Sequence, residues 1–288
     1  MGNRKIRESK QALSYMAAMA TVLIWAAGFP ATRYLLQHYS PGVIMLQRYS
    51  LAAATMVGIG IIKKIRLPEI KDIPSFALFG VCGIFLYNFF FNTGTVHVVA
   101  GVSSFIVASA PVFVLITARL VLKETVKSAC WVGVLLSFCG LVVVALSQMI
   151  GYSLNIGIFL LIGAAAASSV LSVAQRKLVR KYTVIEATTY GFLFAVMCMM
   201  VYMPNLVREL PRATLTTNLI VVFMGIFHAV VAYLTWGYAL SKAEKTTHVT
   251  VFLYLVPFLA SAIGYIWLGE TFSLWALLGG VIVIAGMI

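Results

Sequence analysis

Eight acids, four histidines and four cysteines are the residues of this 288-residue chain best suited to acid–base, nucleophilic or metal chemistry. Their placement argues against catalysis. The acids are Glu8, Glu69, Asp72, Glu124, Glu186, Glu209, Glu244 and Glu270, and none falls in the middle of an apolar stretch. Glu124 and Glu270 stand at expected helix ends, where a structural role suits them. His38 lies in a loop, His97 and His248 lie near stretch ends, and His228 alone is well inside one. Cys82, Cys130, Cys139 and Cys198 sit in apolar runs without CxxC spacing, so they read as small buried hydrophobes. An enzyme inside a bilayer needs paired carboxylates, a metal cluster or a nucleophile–base pair. The expectation is therefore no enzyme, no metal and no cofactor.

The chemistry left is that of binding. Arg48 is the only basic residue well within an apolar stretch. A charge there costs about 3 kcal/mol or more, so it must face protein or water. It could bind a solute carboxylate; equally, it could snorkel or bond helix carbonyls. Asn88 and Asn92 are four apart and share a helix face, with Tyr87 beside them. His228, Thr235 and Trp236 share another face, with Tyr233 nearby, and Trp25 and Tyr254 add aromatic surface. Amides, hydroxyls and rings suit a neutral, zwitterionic or partly apolar solute. The competing reading for each polar group is an interhelical hydrogen bond, worth about 1 kcal/mol, and for the lone His228 a satisfied hydrogen-bonding ring. Pro111 and Pro257 each fall near mid-stretch, where a missing N–H makes either a paired hinge or a fixed kink.

The elements that hold these residues are membrane helices. Apolar residues make up 62% of the chain, charged residues only 10%, and the mean hydropathy is +1.00. A soluble domain is nearer half apolar and a quarter charged. Ten apolar stretches can be marked, roughly 11–32, 42–62, 74–96, 101–122, 129–148, 153–174, 184–203, 217–240, 247–268 and 272–288. None alternates with period two, which excludes a barrel and leaves helices. A reversal is required near 94–101, because 74–122 is about twice a bilayer thickness. The first stretch follows basic residues but exceeds a usual signal-peptide core, so it reads as an uncleaved span.

With the N-terminus inside, 17 of the 21 Lys and Arg fall on the inner side, as the positive-inside rule requires. The same distribution places the C-terminus inside and accounts for the net charge of +13 without nucleic acid. The expected partners are the lipid bilayer and a small-molecule substrate.

A shift of 146 residues aligns 87–142 with 233–288 without a gap. Tyr87 meets Tyr233, Pro111 meets Pro257, and Leu122, Glu124 and Thr125 meet Leu268, Glu270 and Thr271. Gly133 and Gly140 meet Gly279 and Gly286. A looser match at 143 pairs Arg33, Leu35 and Tyr39 with Arg176, Leu178 and Tyr182. The chain thus reads as two halves, 1–150 and 151–288, of five helices each. Five is odd, so the second half enters the bilayer the other way up. The charges agree: Arg119, Lys123 and Lys127 correspond to uncharged Tyr265, Gly269 and Ser273, while Val96 and Val99 correspond to Lys242 and Lys245. The fold class expected is an all-α integral membrane protein with ten transmembrane helices in two inverted five-helix repeats.

Trp25-Ala26-Ala27-Gly28-Phe29-Pro30, Tyr39-Ser40-Pro41 and Gln47-Arg48 resemble the opening of an EamA-type half. Pro111…Leu122-Lys123-Glu124-Thr125…Gly133…Gly140 and its copy from Pro257 to Gly286 resemble the close of each half. The chain is similar over nearly its whole length to the drug/metabolite transporter superfamily. It departs in having Val184 and Gly191 where a Pro and an Arg would be expected. The resemblance implies a central cavity between inverted halves and export of amino acids or related metabolites across a bacterial inner membrane. Lacking a mid-span acid, the chain reads as a facilitated or weakly proton-linked exporter. An importer of a nutrient or cofactor-like metabolite, or a channel or scaffold, are the other readings.

Overall fold

Apolar side chains on every face and a scarcity of charge leave the backbone only its own hydrogen bonds, and every regular element among the described residues is helical. The computed structural model describes residues 2–121, 128–147, 155–242, 251–271 and 273–286. Its helices are α1 (Gly2–Leu35), α2 (Pro41–Lys63), α3 (Ile70–Thr95), α4 (Ala100–Val107), α5 (Ala110–Val121) and α6 (Ser128–Leu146). There follow α7 (Ile156–Leu178), α8 (Val184–Met199), α9 (Leu215–Trp236), α10 (Val256–Leu268) and α11 (Leu274–Ala285). Among the described residues six stretches are long and apolar enough to cross a bilayer, and four shorter apolar helices accompany them. The protein is a multi-pass membrane protein.

The reversal expected at 94–101 falls between Thr95 and Ala100. Pro111 and Pro257 do not sit inside unbroken helices. A turn at Ala108 and Ser109 precedes Pro111, and a 3₁₀ turn over Val251–Leu255 precedes Pro257. Each proline thus opens a new helical segment, where its missing N–H leaves no bond unmade. The Pro257 carbonyl accepts from Ser261 Oγ at 2.8 Å. Glu124, Thr125, Glu244, Lys245 and His248 lie outside the described residues. Cys139 is exposed rather than buried, and Cys82 and Cys198 are half-buried, because apolar stretches in a bilayer turn one face outward.

Helices α3 and α9 carry a feature that composition does not announce. Residues Phe79–Leu86 of α3 and Phe223–Val231 of α9 are wound as π-helix, one residue wider per hydrogen bond than α-helix. The first ends just before Tyr87 and the second two residues before Tyr233, the tyrosines that the 146-residue shift pairs, so the windings correspond to within one or two residues.

The helix contacts form a regular scheme. Helix α1 packs on α9 and α10, and α7 packs on α3 and α5. Helix α2 packs on α8 and α9, and α8 on α2 and α3. Helices α4 and α10 meet, as do α6 and α11. In the last pair glycines allow the backbones to touch: a Cβ on Gly133 would strike the Gly286 carbonyl, and one on Gly140 the Gly279 carbonyl. Ser137 Oγ, midway between the glycines, donates to the Val283 carbonyl at 3.0 Å. Ala164, Ala165 and Ser169 of the small-residue run on α7 are buried.

Candidate functional site

The polar residues singled out in the sequence converge inside this bundle. Arg48 of α2 is only 4% exposed. It neither snorkels nor bonds carbonyls. Its Nη2 donates to His228 Nδ1 on α9 at 2.8 Å, and its Nη1 makes a long contact of 3.5 Å to Asn88 Oδ1 on α3. A guanidinium can only donate, so His228 Nδ1 must accept and carries no proton. Arg48 Nε has no partner, and no carboxylate among the described residues pairs with Arg48.

Neighbouring side chains hold this geometry. Asn88 Nδ2 donates to the Tyr49 hydroxyl at 2.9 Å and to the Ile84 carbonyl at 2.8 Å, which fixes Oδ1 toward Arg48. The guanidinium carbon lies 5.0 Å from the Tyr49 ring centroid. The His228 ring lies against Gly28, where any side chain would overlap it. The glycine of the Trp25–Pro30 run is therefore the space that admits the histidine.

Aromatic rings extend from the cluster. Tyr49 meets Phe192 edge-on at 5.3 Å, Phe192 meets Tyr233 at 6.3 Å, and Tyr233 meets Trp25 at 5.9 Å. Trp25 continues to Trp236 at 5.4 Å. Tyr87 stacks on Phe91 at 5.8 Å and lies within electrostatic reach of Arg48 and Tyr49. The structure thus groups Arg48, Asn88, His228, Tyr87, Tyr233, Trp25 and Trp236. Asn92 turns its Nδ2 to the Asn88 carbonyl at 2.7 Å and leaves a buried Oδ1 unpartnered. Tyr254 packs, as Tyr87 does, against the apolar cluster that includes Phe29 and Phe91. Thr235 bonds Thr21 of α1 at 2.7 Å and serves the α1–α9 contact. Tyr49 and Phe192 belong to the group although nothing in their local sequence pattern marks them.

Two charged junctions tie the ends of the bundle. At one end Arg33 Nε pairs with Glu270 Oε1 at 3.2 Å, and Arg33 Nη1 donates to the Thr95 and Val96 carbonyls. Glu270 Oε2 accepts from the Ala100 N–H at 2.8 Å, satisfying the first turn of α4. At the other end Lys181 Nζ lies 2.6 Å from both Asp72 Oδ2 and Glu69 Oε1. Hydrogen bonds that it donates to Asp72 and Glu69 hold the Lys181 ammonium above its ordinary range, and Lys181 in turn holds Glu69 below its own. Nearby, Glu186 accepts from the Thr183 and Arg66 N–H groups in a capping box at the start of α8. Among the described residues no three His, Cys, Asp or Glu stand close enough to hold a metal ion.

A multi-pass helical membrane protein with a charged, aromatic-lined polar group sealed in its interior has the construction of a solute transporter. Comparison with known proteins gives the family. The EamA-like transporter family model matches residues 12–146 and again 155–288, and this chain belongs to that family. It is 32% identical to the uncharacterized transporter YdfC of Bacillus subtilis, over 92% of this chain and 86% of that one. It is 30% identical to a probable terminal-alkyne amino-acid exporter of Streptantibioticus cattleyicolor, over 94% of this chain and 91% of that one. A solved crystal structure, 17% identical, superposes with a TM-score of 0.65 over 97% of this chain and 94% of that one, and shares the fold.

Proposed function

We propose that this transporter moves amino acids or related small metabolites outward across a bacterial inner membrane by alternating access. In this reading ten helices form two inverted repeats, residues 1–150 and 151–288, and the amino-terminal end and the basic loops face the cytoplasm. The observation that carries it is the contact scheme. Number the spans one to ten, with α4 and α5 together as the fourth and α10 and α11 as the ninth and tenth. Exchanging each span for the one five places on then turns every principal contact into another or into itself. The α1–α9 contact becomes α7–α3, α1–α10 becomes α7–α5, and α2–α9 becomes α8–α3. The Gly133–Gly286 approach becomes Gly279–Gly140. A pseudo-two-fold axis in the membrane plane generates such reciprocity, and halves related that way can exchange shapes to open a midplane site to each side in turn.

The solute site would be built from Trp25, Arg48, Tyr87, Asn88, Asn92, His228, Tyr233, Trp236 and Tyr254, with Pro111 and Pro257 as the paired hinges. Amino-acid export is supported by the name of the Streptantibioticus relative. With Nδ1 committed to Arg48, His228 is poorly placed to shuttle protons, which favours facilitated movement. Counterflow in proteoliposomes tests the reading: preloading with substrate should accelerate uptake of labelled substrate, and a rate indifferent to preloading would point to a channel instead.

A further inference from the structure

We infer that Arg48 is the recognition point for a single carboxylate on the solute. The inference rests on the transporter reading and names the chemistry that the site selects. A guanidinium enclosed in a bilayer protein is ordinarily matched by an acid or by several carbonyls. Arg48 has neither among the described residues. Its recorded partners are two neutral acceptors, His228 Nδ1 and Asn88 Oδ1, the second at 3.5 Å. Its Nε is buried with no partner at all. Several N–H donors of a planar fork suited to carboxylate are thus left for a solute. The acceptors are themselves held from behind, His228 by the close fit against Gly28 and Asn88 by Tyr49, so the fork stays aimed without its charge being neutralised.

The cluster holds one positive charge, which limits the anion. A carboxylate matches it, whereas a phosphate ester at neutral pH brings nearly two charges and would leave one buried and unmatched. The surroundings limit the rest of the solute. Trp25 and Tyr233, packed edge to face, make the surroundings aromatic, which suits an apolar side chain, and aromatic rings also attract an ammonium group without a carboxylate of their own. The solute class is therefore a monocarboxylate or a zwitterion with an apolar or aromatic body.

The test uses the purified protein and thermal unfolding with the standard L-amino acids and the corresponding amino-acid amides. The acids that stabilise the wild type should do so about tenfold to a hundredfold more tightly than their amides, which lack the charge that Arg48 meets. Arg48→Gln keeps an amide donor for His228 and removes the charge. It should lose the acid-dependent shift while its own melting temperature without solute is no lower than that of the wild type. The inference is overturned if amides stabilise as well as acids, if no acid stabilises, or if Arg48→Gln melts lower and still discriminates acid from amide. Counterflow with the same solutes separates the two levels. Carrier behaviour towards acids and amides alike sinks only the Arg48 assignment; absence of carrier behaviour towards every solute sinks the transporter reading.

Discussion

Two cations in this protein are treated in opposite ways. Lys181 stands at the water-facing end of the bundle, where solvation is cheap, and is met by two carboxylates and a tyrosine-linked network. Arg48 stands in the interior, where an unmatched charge is expensive, and is met by none among the described residues. If charges were placed for stability alone, the acids would be with Arg48. Their absence from the costly position and abundance at the cheap one separates two uses of charge. The Lys181 group staples the loop before α3 to the turn between α7 and α8. The Arg48 group keeps its capacity for something that comes and goes.

The sharpest way to break this comparison is to alter Arg48. Arg48→Gln is expected to reduce counterflow about a hundredfold or more, and Arg48→Lys to recover little, since an ammonium cannot reproduce the planar fork. Full activity in Arg48→Lys would mean that only the charge matters. Next in size is Gly28→Ala, which forces the His228 ring away from Arg48. Transport is expected to fall about tenfold, read as counterflow per folded protein. Glu270→Gln tests the intermediate case, a half-buried acid that both pairs and caps. Losing the Arg33 pair and weakening the bond from the Ala100 N–H should cost about 1–2 kcal/mol, read as a lower melting temperature.

The smallest effect is expected at Lys181→Met, a small loss of thermal stability that shrinks further as salt screens the wild-type pairs. Its pH dependence has a definite sign. Because Lys181 is raised, its contribution is complete below the ordinary lysine range of about 10.4 and fades as pH climbs through the folded value. Because Glu69 is lowered, its contribution is complete above the ordinary glutamate range of about 4.3 and fades as pH falls through the folded value. Wild type and Lys181→Met should therefore converge at both acid and alkaline extremes. A gap that persists at both ends would mean that the lysine stem, not its charge, holds the loop.

Much of this was legible in the chain. Membrane helices follow from composition, because little else can bury a backbone in lipid. A reversal within 94–101 followed from bilayer thickness. Asn88 and His228 could be placed on faces of their own helices, but that Arg48 joins them was not readable, since helical periodicity says nothing about neighbours across an interface. Tyr49 and Phe192 escaped notice for the same reason: each is an ordinary apolar residue on its own helix and gains a role only from its partners. Tyr254 was assigned by residue type, and it packs on the same apolar cluster as Tyr87. The prolines were expected inside continuous helices, where the chain instead breaks first and lets each proline begin a segment. The matched Phe79–Leu86 and Phe223–Val231 windings had no signal at all, because the sequences that form them would suit an ordinary helix equally well.

Those two windings carry a mechanical consequence. A helix that returns a widened turn to ordinary pitch does not have to unravel; it rotates whatever lies beyond by about 100°, the angle one residue subtends. Asn88 and Tyr87 lie just beyond one such turn, while His228 lies within the other. A quarter-turn twist of either rod would carry its polar groups away from the arginine and present them along a different side, with no hinge, no broken backbone and no bulk displacement of the surrounding bundle.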